Sequence, residues 1–373
     1  MVVIKQVKTK KEIKEFVNFP LKMYKGNKYF VPAMYGDELG IFKENCIHNL
    51  TCDQIFFLAY LNGKVVGRIQ GIIQKQYNEI HNTKKVRFSR FDTIDNQEVS
   101  NALLQAVEDW GKQKGMEEII GPMGYNDLER EGLLIEGFEY LSTYEEQYNY
   151  PYYQKLIENF GYEKDVDWVE HRIFPEYTDR EKIRRIADRA LTRMNLHIAG
   201  MNMPVNKYIK KYADGIFECI DICYSELYGT VPMTEEIKKN TLDQFKLVLN
   251  PNYIISICDE QEKVVAFGLI LPGIGSALQK SGGKLTLPAI FRLLKAIKKP
   301  KTLDFALIGV LPKYQGSGVN AVMISALQDI IENNNIEYME TNLNLETNTD
   351  VQGQWKFFKH IQHKRRRAFI KKI

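Results

Sequence analysis

The sequence predicts an α/β protein of two similar halves, each a sheet with flanking helices. Three observations predict it. At 373 residues the chain is longer than one core usually serves. Short apolar runs bounded by turn residues, the signal of strands, recur in both halves. In each half such runs lead into a helix-spaced segment and then another strand, the order that builds an α/β layer.

In the first half, residues 2–7 read as a strand and 12–16 as helical. Residues 55–60 and 65–69 are apolar runs joined by Asn62-Gly63, the strongest short hairpin signal. Residues 86–91 form another strand, and Ala102, Leu103, Ala106, Val107 and Trp110 recur at helical spacing. Ile119 begins a further strand, and residues 152–160 form a helix closed by Gly161 at its C′ position. Residues 174–195 are charged and helical, with Arg180, Arg184, Arg185, Arg189 and Arg193, and suit a connector packing across both halves with a solvated basic face.

The second half repeats the plan. Residues 196–198 are strand-like and 216–224 helical, and 254–258 pairs with 264–271 across Glu260-Gln261-Glu262. After an insertion at 272–302, residues 305–310 are the continuous apolar run of a strand buried on both faces. Val319, Val322, Met323, Ala326, Leu327, Ile330 and Ile331 form one face of the next helix, and residues 338–345 a further strand. The expected organisation is therefore an N-terminal domain over 1–175, a helical connector over 176–194 and a C-terminal domain over 195–373.

A net charge of +4 does not support a dedicated nucleic-acid binder. The Lys364-Arg365-Arg366-Arg367 run is expected on an exposed edge strand with alternating side chains. Cys46, Cys52, Cys219, Cys223 and Cys258 contain no C-x-x-C pair, which reads as free thiols in a reducing compartment, with Cys219 and Cys223 packing in a core and no metal site. The start, Met1 to Lys5, lacks a signal peptide's apolar stretch, and no run reaches the roughly 18 apolar residues of a membrane span, so a cytoplasmic location is expected. Residues 288–299 carry an apolar stripe beside Arg292, Lys295, Lys298 and Lys299. Packing on its own domain is favoured there over membrane contact.

The chemistry is carried by the loop Gln315-Gly316-Ser317-Gly318 between the 305–310 strand and the Val319-Asn320 helix start. Backbone N–H groups at a helix N-terminus lack partners, and the helix dipole favours an anion there. Glycines let phosphate oxygens approach the backbone with no Cβ in the way, and Ser317 adds a hydroxyl. The loop has neither the Lys-Ser/Thr of a P-loop nor the third glycine of a dinucleotide fingerprint. In the first half the corresponding loop, Asp92-Thr93-Ile94-Asp95-Asn96, has no glycine and two carboxylates that would repel a pyrophosphate.

With Val310, Pro312 and Tyr314 ahead of Gln315 and Gly318, this stretch resembles motif A of the GNAT N-acetyltransferase superfamily, with Asn320 standing where glycine or alanine is usual. The likeness extends to a bacterial family of tandem GNAT-like proteins. It is carried by Pro20-Leu21, Tyr29-Phe30-Val31-Pro32, Val66-Gly67-Arg68-Ile69, Gly121-Pro122, residues 132–138, Tyr150-Pro151-Tyr152-Tyr153, residues 229–234, Leu271-Pro272, Gly309-Val310 and the Glu346-Thr347-Asn348 stretch. The resemblance implies two GNAT-like domains, each a mixed, mostly antiparallel sheet flanked by helices. It also implies an acyltransferase, N-acetyltransferase-like, using acetyl-CoA or another acyl-CoA as co-substrate and a small-molecule or amine acceptor.

Carried over residue by residue, it gives a coenzyme A cradle of Val310, Leu311, Gln315, Gly316, Ser317, Gly318, Val319 and Asn320, with the Val310 or Leu311 N–H facing the thioester oxygen. Asn348 matches an asparagine that contacts pantetheine or orders this region. Glu346 is the base candidate by chain order, a position that equally suits a helix cap or a partner for the tail arginines. The helix expected to follow offers Trp355, Phe357 and Phe358 but no tyrosine to protonate a thiolate. That gap keeps open a non-catalytic acyl-coenzyme A-binding or scaffold protein, beside a transferase of longer acyl or aminoacyl groups. The N-terminal domain is expected to bind no coenzyme A and to be structural or substrate-facing.

Overall fold

The computed structural model describes all residues, Met1–Ile373. Its first strand, β1 (Val2–Gln6), shows the two-residue alternation of a half-buried strand. Helix α1 (Lys10–Met23) starts where Thr9 and Glu12 cap each other's backbone, and the short α2 (Tyr35–Gly40) follows. Strands β2 (Cys52–Leu61) and β3 (Lys64–Gln74) meet at Asn62 and Gly63, whose φ values of 51° and 74° are those a two-residue hairpin turn needs. Next come α3 (Lys75–Ile80), β4 (Lys85–Thr93), α4 (Gln97–Gln113), β5 (Glu118–Gly121), β6 (Leu133–Glu136) and α5 (Tyr152–Glu158).

Strand β7 (Glu163–Tyr177) and helix α6 (Arg180–Met194) lead into the second half. It continues as β8 (His197–Ala199), α7 (Val205–Tyr224), α8 (Glu235–Phe245), β9 (Ile254–Cys258) and β10 (Val264–Pro272). Two helices, α9 (Gly275–Gln279) and α10 (Leu287–Lys298), fill the insertion before β11 (Thr302–Val310) and α11 (Val319–Asn333). Strands β12 (Tyr338–Thr341) and β13 (Asn344–Leu345), the one-turn α12 (Thr349–Gln352) and the long β14 (Phe358–Lys372) complete the chain.

Two compact units result. The first is Met1–Trp168 with Gly275–Leu293 and Lys364–Ile373; the second is Val169–Ile274 with Leu294–His363. In the first, the strand order is β1-β2-β3-β4-β5-β14, antiparallel except for the parallel β4/β5 pair. The order in the second is β8-β9-β10-β11-β12-β7, again antiparallel but for β11 and β12. Helices α4 and α11 are the crossovers that a parallel pair requires. Leu103 and Val107 of α4 share one buried core with Phe88 and Ile119, and Val322 and Leu327 of α11 share another with Phe305 and Met339. Both halves are thus α/β, with mixed, mostly antiparallel sheets.

Three expectations change. The units do not divide at 175 and 195, because residues 275–293 and 364–373 belong with the first. Helix α6 is no connector: Ile183, Ala187 and Ala190 bury its narrow apolar stripe in the second unit's core. And β14 is no edge strand, since it pairs with both β5 and β6. Lys364 and Arg366 are 1% and 0% exposed, and Arg366 meets Glu146 while Arg365 and Arg367 share Asp167.

Candidate functional site

In the second unit, β11 ends in a turn at Pro312–Tyr314 and the chain enters α11 through Gly316 and Gly318, with φ of 69° and 100°. These left-handed conformations are what the glycines supply. Gln315 Nε2 donates to the Val310 carbonyl at 3.1 Å, and Ser317 Oγ donates to the Tyr314 carbonyl, so both side chains brace the loop. Arg193 Nη2 donates to the Ser317 carbonyl at 2.8 Å, which places a cation beside it. Gly318 caps α11 with no side-chain hydrogen bond. The N–H groups of residues 316–320 donate to no protein acceptor; the first inward bonds are those of Ala321 and Val322 to the Gly318 carbonyl. At Gly316 an added Cβ would meet nothing within 4 Å, whereas at Gly318 it would lie 3.1 Å from Ala190. The arrangement is an open cluster of backbone donors at a helix start, with a guanidinium alongside. It can hold a pyrophosphate.

The neighbouring strand edge differs from expectation. Beyond the Phe305–Thr341 register, Asn342 bonds back to Phe305 and Ala306 and the two parallel strands part. The Leu311 N–H is taken by the Val265 carbonyl at 3.0 Å, and the Cys223 thiol lies beside the Val310 N–H. Tyr224 Oη accepts from the Ile308 N–H at 3.1 Å and donates to the Ile308 carbonyl at 3.0 Å. The freed edge of β11 is therefore covered by Cys223 and Tyr224, from the end of α7. Of the two backbone donors chosen from the sequence, that of Leu311 is not free for an oxyanion.

Asn348 caps α12, accepting from the Val351 N–H at 3.3 Å. Glu346 is half-buried, and its carbonyl accepts from Gln352. Trp355 and Phe357 lie in a single 3-10 turn, with Trp355 buried.

The first unit makes the opposite choices. The start of α4 is closed by Asn96, whose side chain accepts from the Val99 N–H at 3.0 Å. The diverging edge of β4, however, opens on a small cleft. Arg90 makes it: at φ 45° it forms a bulge where the register against β3 shifts between Arg68 and Gln70. A non-glycine residue in that region is held there by its surroundings. Arg90 Nε donates to Glu38 at 3.0 Å and Nη1 to Gln70 at 2.7 Å, with Glu129 3.8 Å from Nη2. Arg68 bridges Asp92 at 2.7 Å and Glu38 at 3.3 Å.

Burial would raise the Glu38 carboxyl, but the guanidiniums of Arg90, Arg68 and Arg130 overcome it and hold Glu38 at about 2. Arg130 is the exception in this network. It has one hydrogen bond, to the Tyr144 carbonyl at 2.8 Å, and no carboxylate within ion-pair distance. Across the cleft stand Val17, Pro20, Leu21, Phe30 and Tyr148. A polar wall with an uncommitted guanidinium thus faces an apolar one.

No protein-family model matches the chain. Among solved structures, a tandem GNAT protein from the clavulanic acid biosynthesis pathway aligns over 100% of this chain and 98% of its own, with a TM-score of 0.56 at 10% identity. The fold is that of a tandem GNAT protein. A GCN5-related N-acetyltransferase from Sphaerobacter thermophilus also superposes on this chain, with a TM-score of 0.52 at 9% identity, over 100% of this chain and 95% of that one. In sequence, the chain is 27% identical to protein YghO of Escherichia coli K12 over 98% of its own length and 94% of the relative's. It is 24% identical to a bacterial ceramide synthase of Caulobacter vibrioides over 83% of this chain and 81% of that one.

Sequence reasoning singled out the glycine loop but passed over the cleft of the first unit. Arg68 falls in a run that carries the resemblance, yet Glu38, Arg90 and Glu129 lie far apart along the chain and share no spacing. Tyr224 was missed because it ends a helix well before the motif.

Proposed function

We propose that the protein is an acyl-coenzyme A-dependent N-acyltransferase whose second unit holds the coenzyme. The free N–H groups of residues 316–320 carry this proposal, because a helix start left without a side-chain cap and flanked by Arg193 is made for an anion. Gly316, Ser317, Gly318, Val319 and Asn320 would hold the pyrophosphate, and Gln315 would keep the loop shaped. Coenzyme A supplies the acyl group as a thioester. An amine nitrogen attacks the thioester carbonyl, the C–N bond forms, the C–S bond breaks, and the thiolate takes a proton as it leaves. Tyr224, whose phenol lies on the diverging edge of β11, is the proton donor we assign, and Glu346 the base. The acceptor class follows the relative named for ceramide synthesis: an amine on a long-chain amino alcohol, acylated by a long-chain thioester.

Thiol release from acetyl-, octanoyl- and palmitoyl-coenzyme A in the presence of short and long-chain amines tests the activity. Release with a long-chain amino alcohol is expected. Coenzyme binding without thiol release from any pair would leave a binding protein, and no binding would remove the cradle assignment.

A further inference from the structure

Between Lys280 and Lys301 the chain carries seven basic residues and no acidic one. Lys301 is paired with Glu337. Lys280, Lys284, Arg292, Lys295, Lys298 and Lys299 have no carboxylate partner. Helix α10 lies at the centre of this segment. Its Ala289 and Leu293 are buried, but Leu287 is 75%, Phe291 74% and Leu294 46% exposed, with Leu285 just ahead of the helix at 52%. Leu287, Phe291 and Leu294 are spaced four and three residues apart, so they share one face. Self-packing, expected from the pattern alone, accounts for Ala289 and Leu293 and leaves a second apolar face in solvent, which a soluble surface rarely does without a partner.

We infer that α10 is an interfacial helix that docks the protein on an anionic lipid surface. The charge pattern selects this occupant. Leucine and phenylalanine enter the boundary between headgroups and acyl chains, while lysines flanking them extend to the phosphates. A second copy seated on the same face would bring six unpaired cations against six. Nucleic acid would satisfy the charges but has no use for Phe291. No helix is long and apolar enough to cross a membrane, so α10 lies on the surface. The inference stands apart from the acyl-transfer proposal and does not need it.

Flotation of the full-length protein with phosphatidylcholine vesicles, with and without phosphatidylglycerol, tests it. Binding is expected only with the anionic lipid and is expected to weaken as salt rises. Because both side chains are exposed, a Leu287→Ser/Phe291→Ser variant should keep the melting temperature and lose flotation. Lys295→Gln/Lys298→Gln should weaken partitioning about 30-fold, from about five-fold per surface cation. Absence of flotation on anionic vesicles overturns the inference. So does undiminished flotation of the serine variant, or a concentration-dependent dimer that Phe291→Ser dissolves while vesicles bind nothing.

Discussion

At Glu38 the protein keeps a carboxylate charged inside a cleft by surrounding it with guanidiniums. Its folded value of about 2 lies below the ordinary 4.5. The depression stabilises the fold fully above about pH 4.5 and is lost as pH falls toward 2, worth on the order of 3 kcal/mol at neutrality. Glu38→Gln is therefore expected to lower the urea midpoint at pH 7, and the gap from wild type should close steadily between pH 4.5 and 2.5. A gap that persists at low pH would show that Glu38 acts by shape and not by charge. Gly316 permits a sharper test of the cradle than Gly318, because its Cβ position is open. Aspartate tolerates a positive φ better than most residues, so Gly316→Asp should fold normally and put a carboxylate where the phosphates go. Coenzyme A at 100 times its dissociation constant adds about 2.7 kcal/mol, roughly 5 to 11 °C in melting temperature; the variant should show none of it. For Tyr224→Phe, the same coenzyme shift but a rate lower by about 10² to 10⁴ is expected if the phenol supplies the proton.

Among the elements, what local pattern decides was legible and what distant pairing decides was not. The hairpin at Asn62-Gly63 and the amphipathic face of α11 need only their own residues, and both form where the sequence places them. Capping at the two crossover helices was half visible: Asn96 can be read as a cap for α4, while the glycines before α11 predict that its start stays open. The tail strand was misread because alternation cannot tell solvent from a buried ion pair. In β14, Arg366 is fully buried, 3.2 Å from Glu146. Removing one partner of such a pair costs about 3 to 5 kcal/mol, whereas replacing both by apolar groups is often neutral. Arg366→Met should therefore lower the melting temperature strongly, and Arg366→Met with Glu146→Leu should recover most of it. No recovery in the double variant would mean that Arg366 also matters through the Gln147 carbonyl to which it donates.

For the molecule as a whole, the sequence suggests a first domain over 1–175, whereas the first unit also draws on residues 275–293 and 364–373. The first unit's sheet takes its outermost partner for β5 from the last residues of the chain, with Phe369 through Lys372 opposite Gly121 through Glu118. Phe369 is fully buried in the core that also holds Phe88 and Phe91. Losing one buried phenylalanine costs about 3 to 5 kcal/mol, a large share of the roughly 5 to 15 kcal/mol that holds a domain together, and the exposed edge of β5 would be unpaired as well. The last residue of the second unit is His363. Deleting residues 364–373 from the full chain is therefore expected to unfold the first unit selectively. In hydrogen exchange read by mass spectrometry, β4 and α4 should lose protection while β11 and α11 keep theirs, together with the coenzyme A shift. Protection retained in β4 would show that the first unit closes without β14, and protection lost in α11 would show that the two units unfold as one.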